Sequence, residues 1–126
     1  MLYCGSSIAL AVLETIVHLG AGVFPMNRYI IEIRIPDDEF VKRRIVNAKA
    51  LPDVWNSRPV SFKSKDFGTD WIKGKTELAM QVPSVIVPLE SNFLLNPLHP
   101  AMMKVSATNR GQYIYDSRNV PGSATL

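Results

Sequence analysis

The stretch Ile8–Leu19, IALAVLETIVHL, constrains this chain more than any other. It is apolar nearly all round, and a segment of that kind has to be covered. No basic run precedes it, and Glu14 and His18 lie inside it, which argues against a secretory leader. It is also too short to cross a bilayer. The reading that remains is a buried helix over Ser7 to Leu19. Gly5-Ser6-Ser7 breaks a preceding strand end, Leu2-Tyr3-Cys4, and supplies a serine cap; Gly20 and Gly22 end the helix.

The other elements are read from period and punctuation. From Tyr29 to Ile35 the chain alternates Tyr29, Ile31, Ile33, Ile35 against Ile30, Glu32, Arg34, a strand with one buried face, stopped by Pro36. Asp37 to Phe40 reads as a short turn of helix, and Val41 to Ala50 is ambiguous between strand and helix, with a strand favoured by Val41, Ile45 and Val46. Leu51 to Trp55 reads as a turn with a buried aromatic anchor. Ser61 or Ser64 caps a helix running to about Ile72, which Lys73-Gly74-Lys75 ends. Thr76 to Val82 is a strand, Pro83-Ser84 interrupts it, and Val85 to Val87 continues as a second short strand. Asn92 to Pro97 is turn-rich. Met102 to Ser106 and Gln112 to Tyr115 are closing strands, and Val120 to Leu126 is a loose tail. The expectation is one α+β domain of 126 residues, with a small mixed sheet, including Tyr29–Ile35 and Thr76–Val82, packed by helices.

Composition narrows the function classes. A hydrophobic share of 47% with 20% charged residues is that of a soluble globular protein. The net charge of +3 helps an anionic ligand approach without announcing nucleic acid; the densest basic run, Lys42-Arg43-Arg44, reads as a solvated face. Cys4 is the one cysteine and reads as a small buried residue in a strand. No Cys/His cluster has zinc spacing, and a reducing, cytoplasmic setting is the simpler reading.

Two residues stand out chemically. Glu14 lies mid-helix between Leu10–Ala11 and Val17–His18, where a carboxylate needs a partner; the plain alternative is a surface pair with His18. Ser84 sits at a strand interruption that can aim a side chain into a cleft; the plain alternative is a turn serine bonding its own backbone. No Gly-x-Ser-x-Gly elbow accompanies Ser84, so a hydrolase triad is not suggested. Gly20-Ala21-Gly22 follows a helix rather than a strand, so it fails as a dinucleotide fingerprint.

Taken in order, several segments resemble the RES domain. Leu2 to Glu14 looks like its strand followed by an A-L-A-x-L-E helix, which Val17-His18-Leu19 continues. Leu51-Pro52-Asp53-Val54-Trp55 is similar to its L-P-x-x-W turn, and Gly68-Thr69-Asp70-Trp71-Ile72 to its G-x-x-W-L helix. Gln81 to Asn92 resembles its V-P-S-x-x-x-P-x-E-x-N stretch, with Asn96-Pro97-x-His99-Pro100 after it. Asp116-Ser117-Arg118 resembles its closing D-x-R.

The resemblance implies a RES domain over residues 1–119 followed by a tail over 120–126, and a fold similar to ADP-ribosyltransferase toxins. It implies the toxin half of a bacterial toxin–antitoxin pair. NAD would be its substrate rather than a cofactor. Its partner would be a helix-turn-helix antitoxin, with no metal, membrane or direct nucleic-acid contact. Glu14 and Ser84 match the family's catalytic Glu and Ser, and Tyr3 and Asn92 are the implied substrate-binding positions. The expected reaction is cleavage of the nicotinamide–ribose bond by phosphorolysis or hydrolysis; the alternatives are ADP-ribosyl transfer to a protein, or a non-catalytic remnant that only binds an antitoxin. The family's Arg precedes its Glu, whereas the first Arg here is Arg28. That departure carries the expectation of an N-terminally truncated domain, weak in NAD binding.

Overall fold

The structure, a computed structural model, describes residues 1–19, 26–47, 62–116 and 118. It is an α+β fold. In chain order the elements are β1 (Leu2–Gly5), α1 (Ile8–Leu19), β2 (Arg28–Arg34), α2 (Asp37–Val41), β3 (Arg44–Ile45), α3 (Phe62–Gly74), β4 (Ala79–Pro83), β5 (Ser91–Leu95), a short 3-10 helix (Pro100–Lys104) and β6 (Ser106–Tyr113).

Four strands form a mixed sheet in the order β1-β5-β4-β3, antiparallel except for the β3–β4 pair. Strand alternation sorts its residues onto two faces. Met80, Val82 and Leu94 share one face and pack with Phe67, Trp71 and Ile72 of α3 and with Val46, forming the main apolar cluster. The opposite face carries Phe93 and Gln81, met by Phe40 of α2 and by Arg43, whose guanidinium lies over the Phe40 ring and donates to Gln81. Among the described residues, α3 is pinned at its C-terminal end by Asn96, whose amide donates to the Ile72 carbonyl while its Oδ1 accepts from Leu98 N–H. His99 Nδ1 caps the 3-10 helix by accepting from Ala101 N–H. The Asn-Pro-x-His-Pro run is therefore a packing and capping device. Lys75, in the left-handed region (φ 52°), turns the chain after α3.

Several expectations are corrected. The stretch from Tyr29 to Ile35 is a strand as read, but β2 does not join the sheet of β4. It pairs with β6 in a separate two-stranded ribbon, with a register irregularity between Tyr29 and Ile31, and both of those side chains are exposed. Helix α1 is not covered all round: Leu10 and Ile16 are buried, while Ile8 and Leu13 face outward. The strand expected over Val41–Ala50 shrinks to Arg44–Ile45 among the described residues. Val85–Val87 is a loop, and the strand beyond Ser84 is instead Ser91–Leu95, which overlaps the turn-rich segment Asn92–Pro97. Met102–Lys104 belongs to the 3-10 helix, and the closing strand begins at Ser106. The Leu51–Trp55 turn, the glycines at 20 and 22, Ser61 and the 120–126 tail lie outside the described residues.

Candidate functional site

The site is assembled where α1 crosses the β1–β5–β4 end of the sheet. Ser7 caps α1 through a bond from Leu10 N–H to its Oγ at 3.1 Å, which sets where the helix starts and so where Glu14 falls. At Gly5 a Cβ would sit 3.1 Å from the Ala11 backbone nitrogen and 3.3 Å from the Ser7 carbonyl, so the missing side chain lets β1 pass close under α1. Gly5 and Asn92 are register partners, as are Asn92 and Val82. Partners share a face and so do residues two apart. Tyr3, Asn92 and Ser84 are thus delivered to the face on which Glu14 sits.

The side chains meet. Ser84 Oγ donates to Glu14 Oε1 at 2.7 Å, and Asn92 Nδ2 donates to the same oxygen at 2.8 Å. Asn92 Nδ2 also donates to the Tyr3 hydroxyl oxygen at 2.6 Å. Ser84 Oγ in turn accepts from the backbone N–H groups of Ile86, at 3.1 Å, and Val87, at 3.0 Å. Ser84 and Asn92 are fully buried; Tyr3 is 53% exposed. Burial and the Glu14 carboxylate both push the Tyr3 hydroxyl above its ordinary pKa, and the bond from Asn92 draws it partly back. The four residues singled out in the sequence form one hydrogen-bonded cluster, Ser84 and Asn92 on Glu14 Oε1 and Tyr3 on Asn92.

The chemistry of each group follows from what it has left to offer. A hydroxyl has one hydrogen and two lone pairs. Ser84 has spent all three, on Glu14, Ile86 and Val87, and has none left for a further partner. Glu14 Oε1 carries two bonds, and Oε2 takes none from the described residues. Glu14 does not pair with His18; its partners are 70 and 78 residues away.

Sequence reasoning missed the Ile86 and Val87 amides, which a chain of side-chain types cannot display, and the close approach at Gly5, for which a glycine between strand and cap was the available signal. Cys4 lies half-buried in β1, and burial raises its pKa, so its thiol is a weak nucleophile. A separate cavity of about 420 Å³ opens on the other flank of α1, between Ser7, Ala11 and Thr15 of the helix and Tyr29 to Ile33 of β2, with Arg28 and Arg110 among its walls. Glu14, Ser84, Asn92 and Tyr3 do not line it. Arg34 is held near Glu32 at 3.5 Å, whereas the Arg28 side chain forms no ion pair among the described residues. No helix among the described residues is long and apolar enough to cross a membrane.

Comparison with known proteins meets this geometry from the other side. The RES domain model matches residues 1–116. A protein of Sphingobium sp. (strain YBL2) named Prs ADP-ribosylating toxin is 39% identical over 120 residues, covering 95% of this chain and 74% of the relative. Proteins named Toxin Res from Yersinia enterocolitica and Photorhabdus laumondii are 31% and 32% identical, covering 93% and 94% of this chain and 76% and 74% of theirs. The residues gathered around Glu14 all fall within the matched span, and on these matches the chain belongs to the RES-domain family.

Proposed function

We propose that this chain is a toxin enzyme that cleaves the nicotinamide–ribose bond of NAD, with phosphate or water as the acceptor, and that a cognate helix-turn-helix antitoxin restrains it. The observation that carries this reading is the Glu14 carboxylate, held by two donors on one oxygen and offering the other. Breaking that bond develops positive charge on the sugar, as in glycoside cleavage. A carboxylate fixed beforehand stabilises such charge without having to reorganise during the reaction. Its free oxygen would accept from a ribose hydroxyl, and the hydroxyl of half-exposed Tyr3 would be the second group to touch the substrate. Ser84 holds the carboxylate in place.

A second reading is favoured by one relative's name. The Sphingobium protein is called an ADP-ribosylating toxin. The same bond breaks in that reaction, and a protein side chain takes the ADP-ribose in place of phosphate or water. The test incubates the chain with NAD labelled in the ADP-ribose half and follows nicotinamide release with and without phosphate. Release with label on small products supports NAD degradation, and phosphate-dependent release supports phosphorolysis. Label on an added bacterial extract's proteins favours transfer. Absence of nicotinamide release under all conditions overturns both.

A further inference from the structure

We infer that Asn92 is a positioning residue that turns the Tyr3 hydroxyl into an outward hydrogen-bond donor, so that Tyr3 and Glu14 together read a vicinal diol on the substrate. The inference rests on the NAD-cleaving reading and adds how the ribose is recognised.

Asn92 lies on β5 between β1 and β4 and is fully buried. Its amide nitrogen has two hydrogens, and two acceptors receive them: Tyr3 Oη at 2.6 Å and Glu14 Oε1 at 2.8 Å. Chemistry fixes this orientation of the amide. Turned over, the side chain would set Oδ1 against a carboxylate oxygen, acceptor against acceptor. The arrangement holds even though Asn92 Oδ1 is buried with no hydrogen-bond partner. An apolar residue at this position would avoid that penalty, so what the amide contributes here is the two bonds from its nitrogen.

Because Tyr3 oxygen accepts from Asn92, its own hydrogen points elsewhere. No described residue accepts it, and the ring is half exposed. On the other side of the same amide, Glu14 Oε2 is an acceptor that no described residue uses. The cluster therefore presents one donor and one acceptor as neighbours. A vicinal diol meets both demands at once, giving a hydrogen to the carboxylate from one hydroxyl and accepting the phenol hydrogen at the other. The raised pKa of Tyr3 keeps the phenol protonated through the neutral range, as a donor must be.

Two measurements test this. In the first, the folded chain carries carbon-13 in its tyrosine rings, and Tyr3 is titrated by NMR with no substrate present. Asn92→Ala removes a donor to the phenolate and moves the Tyr3 midpoint further up; Asn92→Ser, a smaller loss of polarity, covers the case in which the alanine variant does not fold. An unchanged midpoint in the folded variants overturns the role of Asn92. In the second, Tyr3→Phe is assayed on NAD and on its analogues lacking the 2′- or the 3′-hydroxyl of the nicotinamide ribose. The expected loss in kcat/KM is about tenfold on NAD, the worth of one hydrogen bond, and absent on the analogue that lacks the hydroxyl Tyr3 meets. Equal losses on all three substrates overturn the diol. If the unaltered chain releases no nicotinamide, the functional reading fails and the diol with it. The Tyr3 midpoint then still decides whether Asn92 holds the hydroxyl.

Discussion

Ser84 Oγ lies 2.7 Å from Glu14 Oε1 and gives it its only hydrogen. The two residues are separated by 70 positions, one on the second turn of α1 and the other just past the end of β4. The same hydroxyl takes the N–H groups of Ile86 and Val87, so it ties the loop after β4 to the carboxylate on the helix. A change at either end is therefore felt at the other.

Ser84→Ala takes away a donor to the carboxylate and leaves two backbone N–H groups without their acceptor. Both groups lie in a half-buried loop where water can take up part of the loss, so the cost is about 1 kcal/mol, the worth of an ordinary hydrogen bond. The expected outcome is a drop of that order in stability, measured by urea unfolding. Nicotinamide release should fall in kcat more than in KM, because Ser84 positions the charge without touching the substrate. A rise in KM alone, with kcat and stability unchanged, would show that Ser84 meets the substrate directly.

How far the residues announce this arrangement varies by element. Helix α1 is legible because its apolar run and the Ser7 cap agree, and Glu14 is conspicuous because a carboxylate is out of place there. Its partners are not legible from spacing. They come from other strands, and the RES resemblance alone pointed to them. The sequence around β5 signals turns because Asn92, Asn96 and Pro97 crowd it; in the fold Asn92 bonds Glu14 and Tyr3, and Asn96 clamps the end of α3. The alternation of β2 shows a strand but cannot say with which partner. That partner, β6, is SATNRGQY, a run with no apolar period to betray it. The exposed face of α1 follows from the same cause, since β2 and β6 form a ribbon apart from the main sheet.

Glu77 offers a test of the packing beneath α3. Its Oε2 accepts from the indole N–H of buried Trp71 at 3.1 Å, and its Oε1 accepts from Arg44 at 3.0 Å. Glu77→Ala orphans a buried indole donor, so unfolding free energy should fall by about 1–3 kcal/mol. Arg44→Ala removes a half-exposed cation, worth less than about 1 kcal/mol. Denaturant titration of the two variants checks the order; an equal loss would mean that the ion pair, not the indole bond, is what Glu77 contributes.

Arg118 bonds Asp116 with both its side chain and its backbone N–H, and the Asp116 carboxyl is lowered to about 2. A depressed carboxyl favours the folded state above its unfolded value, near 3.9. That contribution fades as pH falls through about 2. Arg118 is exposed and Asp116 partly exposed, so the effect of the pair on stability is small and screened by salt. The sharper readout is the Asp116 carboxyl itself. NMR should find its midpoint near 2 in the unaltered chain, and Arg118→Ala should bring it back to the ordinary aspartate range. A midpoint that stays put in the variant would assign the depression to something other than Arg118.

Glu14→Gln separates the shape of the site from its charge. The glutamine carbonyl can occupy the place of Oε1 and accept from Ser84 and Asn92 as before, since both are donors. The amide nitrogen then replaces Oε2, turning the open acceptor into a donor and removing the negative charge. Folding should persist, because the two internal bonds survive. Chemistry should not, because a neutral amide stabilises positive charge on the sugar poorly and cannot accept a ribose hydrogen through that nitrogen. Losses on the order of 10²–10³ accompany removal of one preorganised electrostatic group from an active site. The measurement is nicotinamide release by purified wild-type and variant chains at equal concentration, with circular dichroism and a melting curve to show that both are folded. A folded Glu14→Gln variant with undiminished turnover would remove Glu14 from the reaction, and the Ser84–Asn92–Tyr3 cluster would then be a structural brace for α1.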